Sequence, residues 1–233
     1  MSDSPVFHQV TVIGAGTMGS GIAQICAQAG SAVRLYDIEQ RLVDSGLARI
    51  RKFLDAGVDK GKVAPEQRTA VLGRISGTTD MDQARDGADL VIEAIPEDLE
   101  LKRRVFAIVA GGVAPSAVLA TNTSSLSLVK IFADIPGAGR CIGMHFFNPP
   151  PLMPLLEVVR AAATTQQTVD AVLAYARQLG KDPIVVQDSP GFATSRLGVV
   201  LGLEAIRMVE AGVAAPADID KAMELGYRHP MGP

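Results

Sequence analysis

Short apolar runs alternate with small-residue and polar segments at the start of the chain. Residues 6–13 and 32–36 form apolar runs, residues 20–29 are mostly small residues in a helical pattern, and Asp37 ends the second run. Near-continuous apolar runs of this length are typical of strands buried on both faces of a parallel sheet. The order strand, turn, helix, strand therefore predicts the first part of an α/β domain.

The same alternation continues to about residue 188 and then stops. Further strands are predicted at residues 75–78, 88–95, 117–120, 141–147, 155–159 and 183–186. Further helices are predicted at residues 39–57, 66–72, 99–109 and 164–180. Residues 192–211 and 216–225 are helical in pattern, and no strand pattern follows them. The sequence predicts a Rossmann-type doubly wound, mostly parallel sheet in residues 1–188 and an all-helical second domain in residues 189–233.

A glycine-rich turn, Gly-Ala-Gly-Thr-Met-Gly, directly follows the first predicted strand. Gly14 permits the tight turn, Gly16 lets the backbone approach a pyrophosphate, and Gly19 lets the helix pack close to the strand. Phosphates bind well at the N-terminus of such a helix. The turn and its context predict dinucleotide binding by Gly14, Gly16, Thr17, Met18 and Gly19. FAD uses the same fingerprint and remains an alternative.

Asp37 lies 18 residues after Gly19, at the end of the second strand. A carboxylate at this point can bind both ribose hydroxyls and would repel a 2′-phosphate, so the predicted cofactor is NAD rather than NADP. Arg34 lies within the strand and Arg41 lies a turn beyond it, so neither argues strongly for NADP.

A histidine and a glutamate lie on two apolar runs that a proline-rich bend connects. His145 belongs to the run at residues 141–147 and Glu157 to the run at residues 155–159. Strands joined in this way can run side by side, which would bring the two side chains into contact. A carboxylate that accepts the imidazole N–H fixes the tautomer and suits a histidine to general-base chemistry. A core histidine beside a structural glutamate is the alternative.

Several of these segments follow predicted strands. They are the glycine turn, Asp37, residues 94–97, residues 122–124 and His145. Because ligands bind beyond the carboxyl ends of the strands in such sheets, we expect these segments to form a single site.

Composition excludes several other classes of function. The net charge of −3 gives no electrostatic case for nucleic acid. No apolar run reaches the ~18 residues of a membrane span, and no signal-type segment is present, so a cytoplasmic protein is predicted. Cys26 and Cys141 lie within apolar elements, as small buried hydrophobes do. The aspartates between residues 80 and 89 do not have the spacing of a calcium loop, and no metal is predicted.

With these segments placed, the chain resembles the short-chain 3-hydroxyacyl-CoA dehydrogenase family, in particular its bacterial 3-hydroxybutyryl-CoA dehydrogenases. The resemblance covers the whole chain and rests on the glycine turn, Val-Ile-Glu-Ala (91–94), Asn-Thr-Ser-Ser-Leu (122–126), His-Phe-Phe-Asn-Pro (145–149), Leu-Glu-Val (156–158), Asp-Ser-Pro-Gly-Phe (188–192) and Tyr-Arg-His-Pro-Met-Gly-Pro (227–233). It implies NAD-dependent interconversion of an (S)-3-hydroxyacyl-CoA and its 3-oxoacyl counterpart.

The resemblance implies roles for residues on the substrate side. His145 would be the catalytic base and Glu157 its partner. Ser124 and Asn148 would contact the substrate near the reacting carbon. Ser195 stands where the family commonly has asparagine, and its hydroxyl can still form a hydrogen bond with the substrate.

On the cofactor side, Glu97 and Lys102 fall where the family has groups near the nicotinamide ribose and the CoA phosphate region. Ala94 and Asn122, each next to the end of a predicted strand, complete the predicted cofactor-binding set. The family continues past the final motif with helices that complete the second domain and much of a dimer interface. We therefore expect a homodimer through the helical domain, and a chain that is truncated at Pro233.

Three other functions remain open. A hydrolytic triad of Ser124, His145 and Glu157 would leave the nucleotide fingerprint unused, and no Gly-x-Ser-x-Gly elbow is present. A sugar-acid (gulonate-type) 3-dehydrogenase would share the histidine–glutamate pair. An NAD-binding structural protein would keep the fold and lack turnover.

Overall fold

A computed structural model describes residues 4–233 of the chain. Within these residues, one sheet of eight strands has the order β3-β2-β1-β4-β5-β6-β7-β8. The strands are β1 (Gln9–Ile13), β2 (Ala32–Tyr36), β3 (Ile75–Thr78), β4 (Leu90–Glu93), β5 (Val118–Thr121), β6 (Cys141–Phe146), β7 (Leu155–Arg160) and β8 (Asp182–Gln187). All neighbouring strands are parallel except β6 and β7. The Rossmann-type, mostly parallel sheet predicted from the sequence is confirmed.

Nine helices occur in the described part of the chain: α1 (Thr17–Gln28), α2 (Gln40–Asp59), α3 (Pro65–Gly73), α4 (Met81–Arg85), α5 (Leu99–Ala110), α6 (Leu128–Ile131), α7 (Gln166–Gln178), α8 (Thr194–Glu210) and α9 (Pro216–Lys221). The sequence pattern does not predict the single-turn helices α4 and α6, which are too short for a periodic pattern. For α4 a local signal existed, since the Asp80 side chain caps its N-terminus by accepting bonds from the N–H groups of Asp82 and Gln83.

The apolar core lies between the sheet and the helices α1, α2 and α7. Its buried members include Val12, Ile22, Leu54, Val158 and Val172. Near α5 and α6, the rings of Phe106 and Phe132 pack edge to face with centroids 4.7 Å apart. This core fixes the strands whose ends carry the polar residues described below.

Burial raises the pKa of both cysteine thiols in the structure. Desolvation raises the pKa of the Cys26 thiol to about 12 and that of the Cys141 thiol to about 12. Both are therefore neutral thiols at physiological pH, and neither has the thiolate that a nucleophile or a metal ligand needs. No helix in the described residues is both long and apolar enough to cross a membrane.

The chain divides into two compact units after Asp188. The first contains the whole sheet and helices α1 to α7. The second contains α8, α9 and a π-helical turn at Ala222–Gly226. The assignment of cofactor binding to the first unit and of substrate binding and dimerisation to the second stays a prediction.

Candidate active site

The carboxyl ends of β1, β4, β5 and β6 lie at one edge of the sheet because these strands are parallel. A cleft of about 340 Å³ lies at this edge. Its lining includes Met18, Ala94, Glu97, Asn122, Ser124, His145 and Asn148. Four separate segments of the sequence therefore contribute residues to one cleft, as the strand ends predict, whereas Asp37 is not among its lining residues.

The glycine turn has the close contacts that its sequence predicts. Gly14 has a φ of +100°, and a Cβ atom there would lie 2.6 Å from the carbonyl oxygen of Ala94. A Cβ on Gly19 would lie 1.7 Å from the carbonyl oxygen of Gly14. Gly16 differs, because nothing lies within 4 Å of the position of its Cβ. Gly16 is also the N-cap of α1 and has no capping side chain, so the turn leaves room for a phosphate at the start of a twelve-residue helix.

The Asp37 carboxylate is held at the end of β2 by two backbone donors. Oδ2 accepts the N–H of Ala15 at 2.7 Å and Oδ1 accepts the N–H of Ile38 at 2.8 Å. Each oxygen keeps a second lone pair for a ribose hydroxyl. Arg34 instead donates to Asp86, and Arg41 pairs with Glu39 at 3.2 Å. The position of Asp37 therefore suits the ribose of NAD. The two nearby guanidinium groups contact other carboxyl and carbonyl groups and do not favour a 2′-phosphate.

The two strands β6 and β7 pair in a register that sets His145 directly opposite Glu157. The His145 Nδ1 and the Glu157 Oε2 are 2.7 Å apart, and both residues are buried. A carboxylate oxygen can only accept, so Nδ1 donates the hydrogen, and the neutral ring then carries its lone pair on Nε2. The Phe147 ring lies 4.5 Å from the imidazole, measured between centroids. The geometry is that of a histidine oriented by a carboxylate.

Polar residues on both sides of His145 have fixed positions. The Asn122 side chain accepts the backbone N–H of Phe146 at 2.9 Å, which ties the end of β5 to the end of β6. Asn148 begins the proline-rich bend, and its peptide bond to Pro149 is cis. Lys181 is buried and its ammonium donates to the carbonyl oxygens of Pro150 and Met153, so the bend is held to the start of β8. These contacts fix the loop that joins His145 to Glu157.

The sequence predicts Glu97 and Lys102 as cofactor-side residues but does not single out Glu93, with which Lys102 forms a buried ion pair. The ammonium of Lys102 contacts Glu93 Oε1 at 2.6 Å and Glu97 Oε2 at 3.3 Å. Burial alone would raise the pKa of Glu97, but hydrogen bonds from Thr123 and Ser124 and the charge of Lys102 lower it below its usual value of 4.5. Glu97 is therefore ionised at neutral pH. A carboxylate at the end of a wholly apolar strand was the available signal for Glu93.

One predicted substrate residue lies outside this cleft's unit. Ser195 is in the first turn of α8, in the second unit. Its proposed contact with substrate, like the roles of the other site residues, stays a prediction.

A nucleotide-binding turn and a histidine–carboxylate pair at one edge of a doubly wound sheet are typical of NAD-dependent dehydrogenases. Two family models match the chain: that of the 3-hydroxyacyl-CoA dehydrogenase NAD binding domain matches residues 9–189, and that of the 3-hydroxyacyl-CoA dehydrogenase C-terminal domain matches residues 191–233. The chain belongs to the 3-hydroxyacyl-CoA dehydrogenase family. It is an NAD-dependent enzyme of this class, as its resemblance in sequence predicted.

Individual relatives agree with this assignment. The chain is 44% identical over 225 residues to a probable 3-hydroxybutyryl-CoA dehydrogenase of Bacillus subtilis, a match that covers 97% of this chain and 78% of that protein. It is 43% identical to the 3-hydroxybutyryl-CoA dehydrogenase of Mycobacterium tuberculosis, covering 100% of this chain and 81% of the relative. The crystal structure of an (S)-3-hydroxybutyryl-CoA dehydrogenase from Ralstonia eutropha matches with a TM-score of 0.94 and 41% identity, over 97% of this chain and 80% of that one.

The glycine turn yields a prediction that separates packing from cofactor binding. Gly16→Ala should unfold at nearly the wild-type temperature, because its Cβ meets no protein atom. It should weaken NAD binding about tenfold or more, since a methyl group would occupy the approach of the pyrophosphate. Gly19→Ala should instead lose about 1–3 kcal/mol of folding free energy or more through overpacking. Thermal unfolding and calorimetric titration with NAD measure the two effects.

Gly73→Ala is the matched control for the pair, because it also adds a methyl group that meets nothing within 4 Å. It should alter neither property. Unchanged NAD affinity in Gly16→Ala would remove the turn from the cofactor site.

Proposed function

We propose that this enzyme interconverts an (S)-3-hydroxyacyl-CoA, with 3-hydroxybutyryl-CoA as the preferred substrate, and the corresponding 3-oxoacyl-CoA, and that His145 is its general base. The observation that carries the proposal is the contact of 2.7 Å between His145 Nδ1 and Glu157 Oε2 at the wall of the cleft. The names of the relatives from Bacillus subtilis and Mycobacterium tuberculosis support the choice of acyl chain.

In the oxidative direction, His145 removes the proton of the 3-hydroxyl group through Nε2. The glycine turn and Asp37 would hold NAD, which would supply the acceptor for the hydride of C3. Glu157 stabilises the imidazolium that forms and keeps the ring in its orientation, as the carboxylate of a triad does. In the reductive direction the imidazolium polarises the ketone and returns the proton to its oxygen. Ser124 and Asn148, which line the same cleft, orient that oxygen by hydrogen bonds.

A second cleft favours a CoA thioester over the sugar acid of the alternative function. It has a volume of about 170 Å³ and lies between α1, α2 and the proline-rich bend, with Ile50, Phe53, Pro149 and Pro150 in its lining. An apolar groove of this kind suits the extended pantetheine arm of CoA, whereas a sugar acid is short and polar and needs no such groove. Rates with acetoacetyl-CoA and NADH, compared with rates with an oxidised sugar acid, decide between the two substrates.

The histidine–glutamate pair yields the main prediction of this proposal. His145→Gln should leave NAD affinity nearly unchanged and lower kcat by about 10²–10⁴, the usual loss for a general base. Glu157→Gln should also lower kcat and should change the pH–rate profile, because the imidazolium loses its charged partner. Steady-state reduction of acetoacetyl-CoA measures both variants. Near-normal rates in both would contradict the proposed pair, and NAD binding without turnover in the wild type would favour a structural protein.

Self-association through the second unit is the remaining part of the proposal. No residue of α8 is buried, and Leu197, Val199, Val200, Leu203 and Ile206 are among its exposed apolar residues. An apolar helix surface of this extent needs a partner, and a second copy of the chain is the partner we propose.

A cytoplasmic location also stays a prediction.

The polypeptide of 233 residues should therefore scatter light as a dimer or a larger assembly at micromolar concentration. Leu203→Glu should shift it towards the monomer, because a charge on an apolar contact is costly. Glu204→Gln, on the neighbouring exposed position, is the control and should leave the mass unchanged. A wild-type monomer would contradict self-association through α8.

A further inference from the structure

A buried ion pair joins the end of β4 to α5 below the cleft. Glu93 and Lys102 are 0% and 1% exposed, with Lys102 Nζ 2.6 Å from Glu93 Oε1. The same Oε1 accepts the N–H of Ile95 at 2.8 Å, and Oε2 accepts the Thr121 hydroxyl at 2.7 Å. A buried ion pair often contributes no more to the free energy of folding than well-packed apolar residues would. We therefore expect this pair to have a role other than stability.

The ammonium of Lys102 is shared with a second carboxylate that reaches the cleft. Its other contacts are Glu97 Oε2 at 3.3 Å and the carbonyl oxygen of Ile95 at 3.2 Å. The side chain of Glu97 is 37% exposed and lines the cleft itself. The ion pair is therefore connected to the cleft through the side chain of Glu97.

The second oxygen of Glu97 holds the turn that carries Ser124. Glu97 Oε1 accepts the Thr123 hydroxyl at 2.5 Å, the N–H of Ser124 at 2.9 Å, the Ser124 hydroxyl at 3.3 Å and the N–H of Ser125 at 3.3 Å. One carboxylate thus binds the buried cation with one oxygen and accepts hydrogen bonds from four donors of the turn with the other. Charge-assisted bonds of this type are stronger than neutral ones.

We propose that Glu93 and Lys102 are positioning residues, which fix Glu97 and through it hold Ser124 in place beside His145. They act through Glu97 and contact neither the reacting carbon nor its oxygen. The inference rests on the proposed function only in giving Ser124 a substrate contact; the ordering of the turn is a separate, measurable property.

The test removes the charges without leaving one of them unpaired. Lys102→Met alone would strand a buried carboxylate and destabilise the fold. The double variant Glu93→Gln/Lys102→Met replaces the pair with uncharged groups of similar size and should unfold near the wild-type temperature. Hydrogen exchange at the Ser124 and Ser125 amides should then be about tenfold faster or more, since the protection given by Glu97 is lost. The kcat for acetoacetyl-CoA reduction should fall about tenfold or more.

Arg104→Met is the matched control, because it removes an exposed cation from the same helix α5. It should change neither amide exchange nor kcat. Glu97→Gln gives a second route that alters only a partly exposed group. Its amide nitrogen would face the Lys102 ammonium, a donor against a donor, so amide exchange at Ser124 should again become faster. This variant decides the question if the double variant does not fold.

Wild-type protection of the Ser124 and Ser125 amides in a folded double variant, or in Glu97→Gln, would overturn the proposal and leave the ion pair a purely structural feature. Faster amide exchange with unchanged kcat and KM would support positioning of the turn but contradict the substrate role of Ser124. The two failures are therefore distinguishable.

Discussion

The antiparallel pairing of β6 with β7 is the contact on which the arrangement of the site depends. Every other neighbouring pair in the sheet is parallel, and parallel strands bring only their carboxyl ends to the cofactor edge. The reversal at β7 brings the beginning of a strand to the same edge. Glu157 therefore lies opposite His145 within the sheet, where the strand itself fixes its position. A shift of one residue in register would turn the Glu157 side chain to the other face of the sheet. The bend that permits this reversal is clamped at two of its carbonyl groups by Lys181.

Charge placement around the cleft follows from the same architecture. Strands buried on both faces leave their termini as the places where polar groups can be satisfied, so carboxylates and hydroxyls gather there. No buried side-chain nitrogen or oxygen in the described residues lacks a hydrogen-bond partner. The glycine turn contributes backbone donors and space, Asp37 contributes a fixed carboxylate, and Glu97 links the cofactor edge to the turn at Ser124.

Much of this could be predicted from sequence because the signals are local. The bounds of β2 and β3 match those expected from the sequence, and the glycine turn and Asp37 lie where their motif requires. Contacts between segments that are distant in sequence are harder to predict. The Glu93–Lys102 pair lies within one strand and one helix whose patterns are apolar and amphipathic, and nothing in either pattern shows that the two charges meet in the interior. The two hydrogen bonds from Lys181 to the proline-rich bend are equally difficult to predict, because a lysine at the start of a strand is usually exposed. The family motifs predict that His145 and Glu157 form a pair, whereas the contact between Nδ1 and Oε2 is visible only in the structure.

Nitrogen-15 NMR of the histidine imidazoles tests the central contact most directly. The chain has three histidines, so a spectrum of the ¹⁵N-labelled protein, compared with that of His145→Gln, assigns the ring. We expect the neutral His145 ring to be protonated at Nδ1, with this proton donated to Glu157, and to carry its lone pair on Nε2. A ring protonated at Nε2 instead would contradict the histidine–glutamate pair and with it the proposed route of the proton.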